Sequence, residues 1–372
     1  MKIYDNTLRE GCQSALVCMS SSQRLNVLDS QIEAGIQQIE IGFIAAGQNE
    51  EKTIKYSLQR KKYAKLYCLA RLLKDDINKC LDLGCENVTI FVPSSDNLLK
   101  TKLNKNITEI ENDIAYLVHY ANQNGLSVRF SCEDATRTPL KRLLKFYSLA
   151  IKSGAHTISV PDTFGIATPQ SYGKLIKFLS KNLKCNISAH CHNDLGLALA
   201  NSLSCYENNG NEIQTTIYGL GDRVGNTDLI QVIIALKRFY NEESIKTISK
   251  IKTLYDKFSN ITGFIPPINF PIISENQFSH ESGLHVKALI NNNPYEAFPP
   301  KWIDAEHKVL YGELSGKANI EYFCKKNCIS LNSLEITEVL KCIKTFSSEK
   351  KRYLSEYEVN EIIKEIKNHD NK

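Results

Sequence analysis

The fold class this sequence predicts is α/β: a (β/α)8 TIM barrel followed by a small, mainly helical carboxyl-terminal region. Three observations predict it. Strand-like and helix-like hydrophobic periods alternate from the first residues to about residue 240. Eight such strand–helix pairs in roughly 240 residues have the size and rhythm of a β/α barrel. No GxGxxG turn follows the first strand, which disfavours a doubly wound open sheet, the other fold that this alternation allows.

The β-rich runs that predict the strands are Lys2–Tyr4, Gln38–Phe43, Leu66–Ala70, Asn87–Val92, Ser127–Ser131, Thr157–Val160, Asn186–His192 and Ile213–Tyr218. Amphipathic stretches lie between them. Ser22–Ala34 sets Leu25, Val27, Leu28 and Ile32 near one side, and Asn106–Asn124 and Pro169–Leu183 behave alike. Helix starts are signalled at Ser20–Ser22, Asp75, Thr138-Pro139, Thr168-Pro169 and Asn226-Thr227. After Tyr240 the pattern changes. Glu242–Thr262 reads as a trailing helix, and Gly263–Pro271 is Pro-rich and irregular. Helical segments follow at Gly283–Asn291, Gly316–Asn327, Ser333–Ser347 and Ser355–Asn368, with a frayed end from about His369. The expected division is a barrel domain with its trailing helix at 1–262, a linker at 263–277 and a helical subdomain at 278–372.

Composition narrows the function classes. Of 372 residues 42% are hydrophobic and 23% charged, which excludes a disordered or collagen-like chain. No apolar run approaches the roughly 18 residues of a membrane helix, so no membrane partner is expected. Lys plus Arg is 46 against 41 acidic residues; a net charge of +5 suits acidic metabolites and falls short of a nucleic-acid footprint. With a charged residue before any apolar run, the opening MKIYDNTLRE is not expected to be a leader, and twelve scattered cysteines without paired CxxC spacing read as reduced, mostly buried thiols of a cytoplasmic protein.

The strongest local signal is His190-Cys191-His192-Asn193-Asp194. Residues two apart on a strand share a face, so both imidazoles point into the barrel at the end of the seventh strand. Two imidazoles with an acid in reach make half of a divalent-metal site; a hydrogen-bonded histidine pair is the structural alternative. The third ligand is expected from another strand end. Asp5 and Glu10 are both chemically able, and spacing alone does not choose. Two histidines and one carboxylate leave open positions for a chelating substrate. Arginine adds a hint. Only ten of the 46 basic residues are Arg, yet Arg9, Arg71, Arg129, Arg137 and Arg223 fall within or just past strand ends. There they suggest bidentate anion recognition, with local pairing to Glu133 or Asp222 as the plainer reading.

The segments Asp5–Gly11 (DNTLREG) and His190–Asp194 (HCHND) together resemble the DRE-TIM metallolyase superfamily, and more narrowly the 2-isopropylmalate synthase/homocitrate synthase family. The resemblance continues through Gly42–Gly47, Val128–Arg137, Pro161–Pro169, Gly219–Leu229 and Phe278–Tyr295, covering residues 1 to about 320. It implies an acyltransferase that condenses acetyl-CoA, as co-substrate, with a 2-oxo acid and hydrolyses the thioester. It also implies roles. Glu10, His190 and His192 would hold a divalent cation (Mg, Mn or Zn), with Asn226 adding a ligand. Arg9 would steady the developing oxyanion, and Thr163 would hold the carboxylate beside the ketone. His285 would act as general acid/base from the partner subunit of a homodimer, near Tyr295, with the carboxyl-terminal region reaching the partner barrel.

Arg129 and Ser131 lie two apart on the fifth strand and should face the barrel centre. The VRFS segment is similar to lysine-pathway homocitrate synthases, in which Arg and Ser there hold the distal carboxylate of 2-oxoglutarate. GFIAAG and HESGLHV look closest to homocitrate synthases of the nitrogen-fixation type. Isopropylmalate synthases generally carry a further leucine-sensing domain, and the chain length leads to the expectation that none follows here. Departures from the pattern are Cys12 for an acid, Leu73 for a histidine, Ser188 for a glutamate, and Gly312–Gly316 (GELSG) without the basic residue and histidine of GKHSG-like motifs. They bear on the substrate more than on the reaction. The expected activity is therefore homocitrate formation from 2-oxoglutarate. A 2-isopropylmalate, citramalate or phosphonate-analogue synthase is the alternative on the same scaffold. A carbon–carbon lyase or aldolase and a non-catalytic binding protein are the alternatives of other classes.

Overall fold

The computed structural model describes residues 1–370 apart from Leu16, Asn104 and Lys246, so the very end of the expected frayed segment lies outside the described residues. Eight strands alternate with helices: β1 (Lys2–Asp5), α1 (Ser21–Glu33), β2 (Gln38–Phe43), α2 (Gln48–Ser57), β3 (Lys65–Arg71), α3 (Lys74–Asp82), β4 (Asn87–Pro93), α4 (Asp96–Lys102) and α5 (Ile107–Gln123) open the series. It continues through β5 (Ser127–Glu133), α6 (Leu140–Lys152), β6 (Ala155–Asp162), α7 (Pro169–Asn182), β7 (Asn186–Cys191), α8 (Ala198–Glu207), β8 (Glu212–Thr215), α9 (Leu229–Tyr240) and α10 (Ile248–Thr262). The strands pair in sequence order into a closed parallel barrel, and β1 meets β8 with Lys2 opposite Glu212 and Asp5 opposite Thr215. Every strand therefore points its carboxyl end to one mouth, where β/α barrels carry their chemistry.

Helix starts follow their capping residues. Ser20 and Thr168 accept from the backbone N–H of Gln23 and Ser171, and Pro169 occupies the first turn of α7. Two expected starts differ. Asp75 sits inside the first turn of α3 rather than at its cap. Asp228, not Asn226, caps α9 through Gln231, which leaves the Asn226 side chain for another use. The run expected as the eighth strand also ends early: Ile217–Gly219 form a 310 turn, with Tyr218 at φ 58°. The trailing helix begins at Ile248, six residues later than the pattern suggested.

Outward-facing apolar residues make the barrel's main core. Ile39, Ile41, Val88, Ile90, Val128, Phe130, Ile158, Val160 and Ile187 are buried, as are Val27, Ile77, Val118, Phe146 and Ile176 on the surrounding helices. The inside of the barrel is polar. Tyr4 Oη donates to Glu40 at 3.1 Å and lies 3.0 Å from Thr89 Oγ1. Gln214 Nε2 donates to Ser159 at 2.7 Å and to Ser188 at 3.0 Å, while Gln214 Oε1 accepts from Asn6 at 3.0 Å. Below them Arg129 is ion-paired with Glu212 at 2.6 Å and lies over the Tyr4 ring at 3.9 Å. Buried polar groups persist only when they find partners, and this set largely supplies its own.

The chain divides into two compact units between Pro266 and Pro267, inside the Pro-rich stretch. The second unit pairs two short parallel strands, β9 (Ser279–His280) and β10 (Lys308–Val309). Its helices are α11 (Gly283–Ile290), α12 (Lys317–Lys326), α13 (Ser333–Lys350) and α14 (Glu356–Asp370). They enclose a separate core containing Val286, Ile320, Phe323, Val339, Ile343, Val359 and Ile363. The starts of α11 and α12 cross closely: a Cβ on Gly283 would lie 2.8 Å from the Gly316 Cα, so both positions demand glycine. Among the described residues no helix is long and apolar enough to cross a membrane.

Candidate active site

A cavity of about 260 Å³ opens at the carboxyl ends of the strands. Arg9, Glu10, Glu40, Ser131, Thr163, His190, His192 and Gln214 line it, with Phe43, Leu69 and Phe91 as an apolar wall. Glu10 belongs to the turn after β1, a helical turn held by the backbone N–H groups of Arg9 and Glu10 donating to Asn6 O. His190 ends on β7, and His192 follows it, bridged to Asn226 on the loop after β8. Glu10 Oε2 lies 4.0 Å from His190 Nε2, and Glu10 Oε1 lies 3.7 Å from His192 Nε2. All three side chains are buried, and one donor atom of each falls within 4.8 Å of the others.

These residues fit a divalent cation. Burial holds both imidazoles neutral: His190 titrates well below the usual range through burial, then the nearby His192 and Arg9, and His192 is lowered to about 4 by burial, Arg223 and Arg9. A neutral imidazole is the ligand form. Asn226 Nδ2 donates to Leu220 O at 3.3 Å, which leaves its buried Oδ1 without a partner. A Cβ placed on Gly221 would meet both Asn226 and Glu10, so the amide and the carboxylate border one spot. Asn226 thus offers a neutral oxygen beside the three charged or imidazole donors. Of the two acids that spacing left open, Glu10 is the one that lies beside both histidines. Asp5 is sealed among Thr7, Gln31 and Thr215, and burial first of all raises its pKa to about 6.

Arg9 stands next to the ligand set. Its Nε donates to Glu40 at 2.6 Å and its Nη1 donates to Glu10 and to Gln13. Thr163 and Ser131 line the cavity, and Thr163 Oγ1 accepts from the Asp134 backbone N–H at 2.9 Å. Arg129, expected to meet a substrate carboxylate, is not among the residues that line the cavity. It faces the barrel axis but is fully buried, and its charge is met by Glu212 at 2.6 Å and its Nη2 by Ser188 at 3.2 Å. Glu212 lies opposite Ser188 on the next strand. The other strand-end arginines are also spent locally, on partners the sequence did not indicate: Arg71 on Asp76, Arg137 on Asp134, and Arg223 on Asp194 and Thr163 O. Glu40 and Gln214 were missed by sequence reasoning, although a polar residue at an inward strand position, as in IEI and EIQ, is the signal for them.

In the second unit, His285 lies on α11 and is exposed, stacked on Tyr295 with ring centroids 4.6 Å apart. Tyr295 is itself 67% exposed. The His280 ring centroid sits 6.1 Å from that of His285, and His280 Nε2 lies 3.1 Å from His307, whose other nitrogen approaches Glu296 at 3.2 Å.

A closed β/α barrel with two imidazoles and a carboxylate converging at its strand ends is the framework of an enzyme that works through a bound cation. Comparison with known proteins narrows this. Residues 1–257 match the HMGL-like family model, and residues 272–351 match the homocitrate synthase post-HMGL domain-like model. Homocitrate synthase AksA of Methanocaldococcus jannaschii is 35% identical over 100% of this chain and 92% of its own length. A 2-isopropylmalate synthase of the same organism is 34% identical over 98% of this chain and 71% of its own. A solved HMG-CoA lyase of Bacillus subtilis shares the barrel with a TM-score of 0.65 at 18% identity, covering 72% of this chain and 96% of that one. The chain belongs to the HMGL-like family, in its homocitrate synthase and 2-isopropylmalate synthase branch, and is an acyltransferase-type enzyme.

Proposed function

We propose that this protein condenses acetyl-CoA with a 2-oxo acid, 2-oxoglutarate in the first instance, and releases free CoA on hydrolysis of the thioester. The observation that carries the reading is the convergence of Glu10, His190 and His192 beside Arg9 in one cavity. When bound there, a divalent cation supplies Lewis-acid polarisation of a ketone. Glu10, His190, His192 and Asn226 would hold it. Arg9 keeps a guanidinium where negative charge develops on the ketone oxygen, and Glu40 fixes its direction. Thr163 lines the cavity, and its hydroxyl would hold the carboxylate next to the ketone. His285 would carry the proton between the acetyl methyl group and the product, with Tyr295 stacked on its ring. Exposed in its own unit, this pair suits an active site completed by the partner subunit of a homodimer.

The choice of 2-oxoglutarate rests on full-length similarity to proteins named homocitrate synthase. One observation favours a second reading, an apolar 2-oxo acid such as 2-oxoisovalerate. Arg129 is paired with Glu212 instead of facing the cavity, and Phe43, Leu69 and Phe91 form an apolar wall. A panel of 2-oxo acids with acetyl-CoA, followed by free thiol release, decides between them. Preferred turnover of 2-oxoglutarate supports the first reading, preferred 2-oxoisovalerate supports the second, and no acyl transfer with any 2-oxo acid contradicts both.

A further inference from the structure

Away from the mouth of the barrel, three thiols meet in its wall. Cys68 lies in the middle of β3, Cys80 on α3, and Cys85 in the turn that leads into β4. Tyr67 and Leu69 face the barrel interior, so strand alternation turns Cys68 outward, toward α3. All three residues are buried, none is in a disulfide, and their sulfurs all lie within 4.8 Å of one another. Two thiolates sharing a zinc ion at a bond length of about 2.3 Å stand about 4 Å apart. Small side-chain rotations therefore separate the cluster from a ligand set. Among the described residues, no imidazole or carboxylate joins it within the same radius.

We propose that Cys68, Cys80 and Cys85 form a second metal site, specific for a soft, thiolate-preferring cation of the Cu+ and Zn2+ class. Sulfur ligands select such ions over Mg2+ and Mn2+, which take oxygen. The site is thus chemically distinct from Glu10, His190 and His192. Three sulfurs make a trigonal set for Cu+ or leave a fourth position for water on Zn2+. Binding exchanges thiol protons for the cation: each metal–sulfur bond formed releases one proton to solvent, three in all, and no electron moves. Cys85 is 7% exposed while Cys80 is fully buried, so the ion enters from the turn. Once bound it ties β3, α3 and the following turn together, and β3 carries Leu69 of the cavity wall.

The test uses the full-length protein with its catalytic ligands saturated by Mg2+. Cd2+ is titrated in while thiolate-to-metal charge-transfer absorption is recorded, and Cu+ is titrated in parallel against a cuprous chelator. The expected result is one equivalent of a soft ion per chain, with absorption lost in both Cys80→Ala and Cys85→Ala while their far-ultraviolet circular dichroism matches the wild type. A partially filled site measured by elemental analysis of the purified protein tells copper from zinc. Absence of charge transfer in the wild type, or its persistence in the two folded variants, overturns the proposal. So does a mass loss of two hydrogens per chain without bound metal, which makes the cluster a disulfide-forming pair instead. Should a variant not fold, differential alkylation of Cys85 in the wild type with and without Cd2+ takes its place: protection supports the site and equal labelling overturns it.

Discussion

Arg9 can stabilise an oxyanion only if its guanidinium keeps one direction, and Glu40 sets that direction through Arg9 Nε and through the Tyr4 hydroxyl. Glu40→Gln preserves the volume and removes the charge. Its expected effect is a loss in kcat on the order of 10–100-fold with a smaller change in KM, read by steady-state thiol release. Asp5 makes a second prediction. Its folded pKa of about 6 lies above the ordinary 3.8 because burial penalises the anion. Between those values the folded chain keeps a proton that the unfolded chain has lost. Stability from this group is therefore complete below about pH 4 and falls by roughly 1.4 kcal/mol per unit as pH rises to about 6. His192 runs the other way: lowered from 6.5 to about 4, it adds stability as pH rises through that window. Asp5→Asn removes the falling one, so its stability relative to the wild type should rise by about 3 kcal/mol from about pH 4 to about pH 6 in metal-free urea unfolding. A pH-independent difference would contradict the assigned burial. The convergence of Glu10, His190 and His192 was legible in sequence because a strand's period fixes which side chains share a face, and the family motif supplied the acid. Arg129 was legible in direction but not in depth, since periodicity does not tell a sealed ion pair from a substrate contact.

Elements explain that depth. On β5, Arg129 sits two residues before Ser131, hence one layer lower in the barrel, where Glu212 of β8 reaches it. Arg129→Met leaves Glu212 buried and unpaired, and should cost about 3–5 kcal/mol in chemical denaturation. Adding Glu212→Gln should recover most of that loss, and an uncoupled, additive double variant would show that the pair is not the reason for the burial. The crossing of α11 and α12 makes a parallel case. Gly283→Ala has no space against the Gly316 backbone, so it should destabilise the second unit and lower its melting transition. Strand order and most helix limits followed from the alternation of periods. The misplaced starts have local causes. A carboxylate competed for the cap of α9 and won at Asp228, leaving the Asn226 side chain off the helix start. The 310 turn at Ile217–Gly219 cut β8 short, because apolar runs do not distinguish a strand from a buried turn.

At the scale of the molecule, the first unit holds the Glu10–His190–His192 cluster and the second holds the exposed His285–Tyr295 pair. If the two meet across a dimer, a His285→Ala chain and a Glu10→Ala chain are each inactive alone, and mixing them should restore activity in hetero-dimers that pair one intact barrel with one intact His285. No recovery would contradict a shared site. The most direct measurement is Mn2+ binding to chelator-stripped protein, followed by thiol release from acetyl-CoA with a 2-oxo acid in the same sample. The wild type should bind one Mn2+ at the oxygen and nitrogen donors and regain turnover in proportion, whereas His190→Ala, His192→Ala and Glu10→Gln should lose both together. Turnover that persists in stripped protein, or in a folded variant unable to bind the ion, would contradict the assignment of the reaction to this cluster.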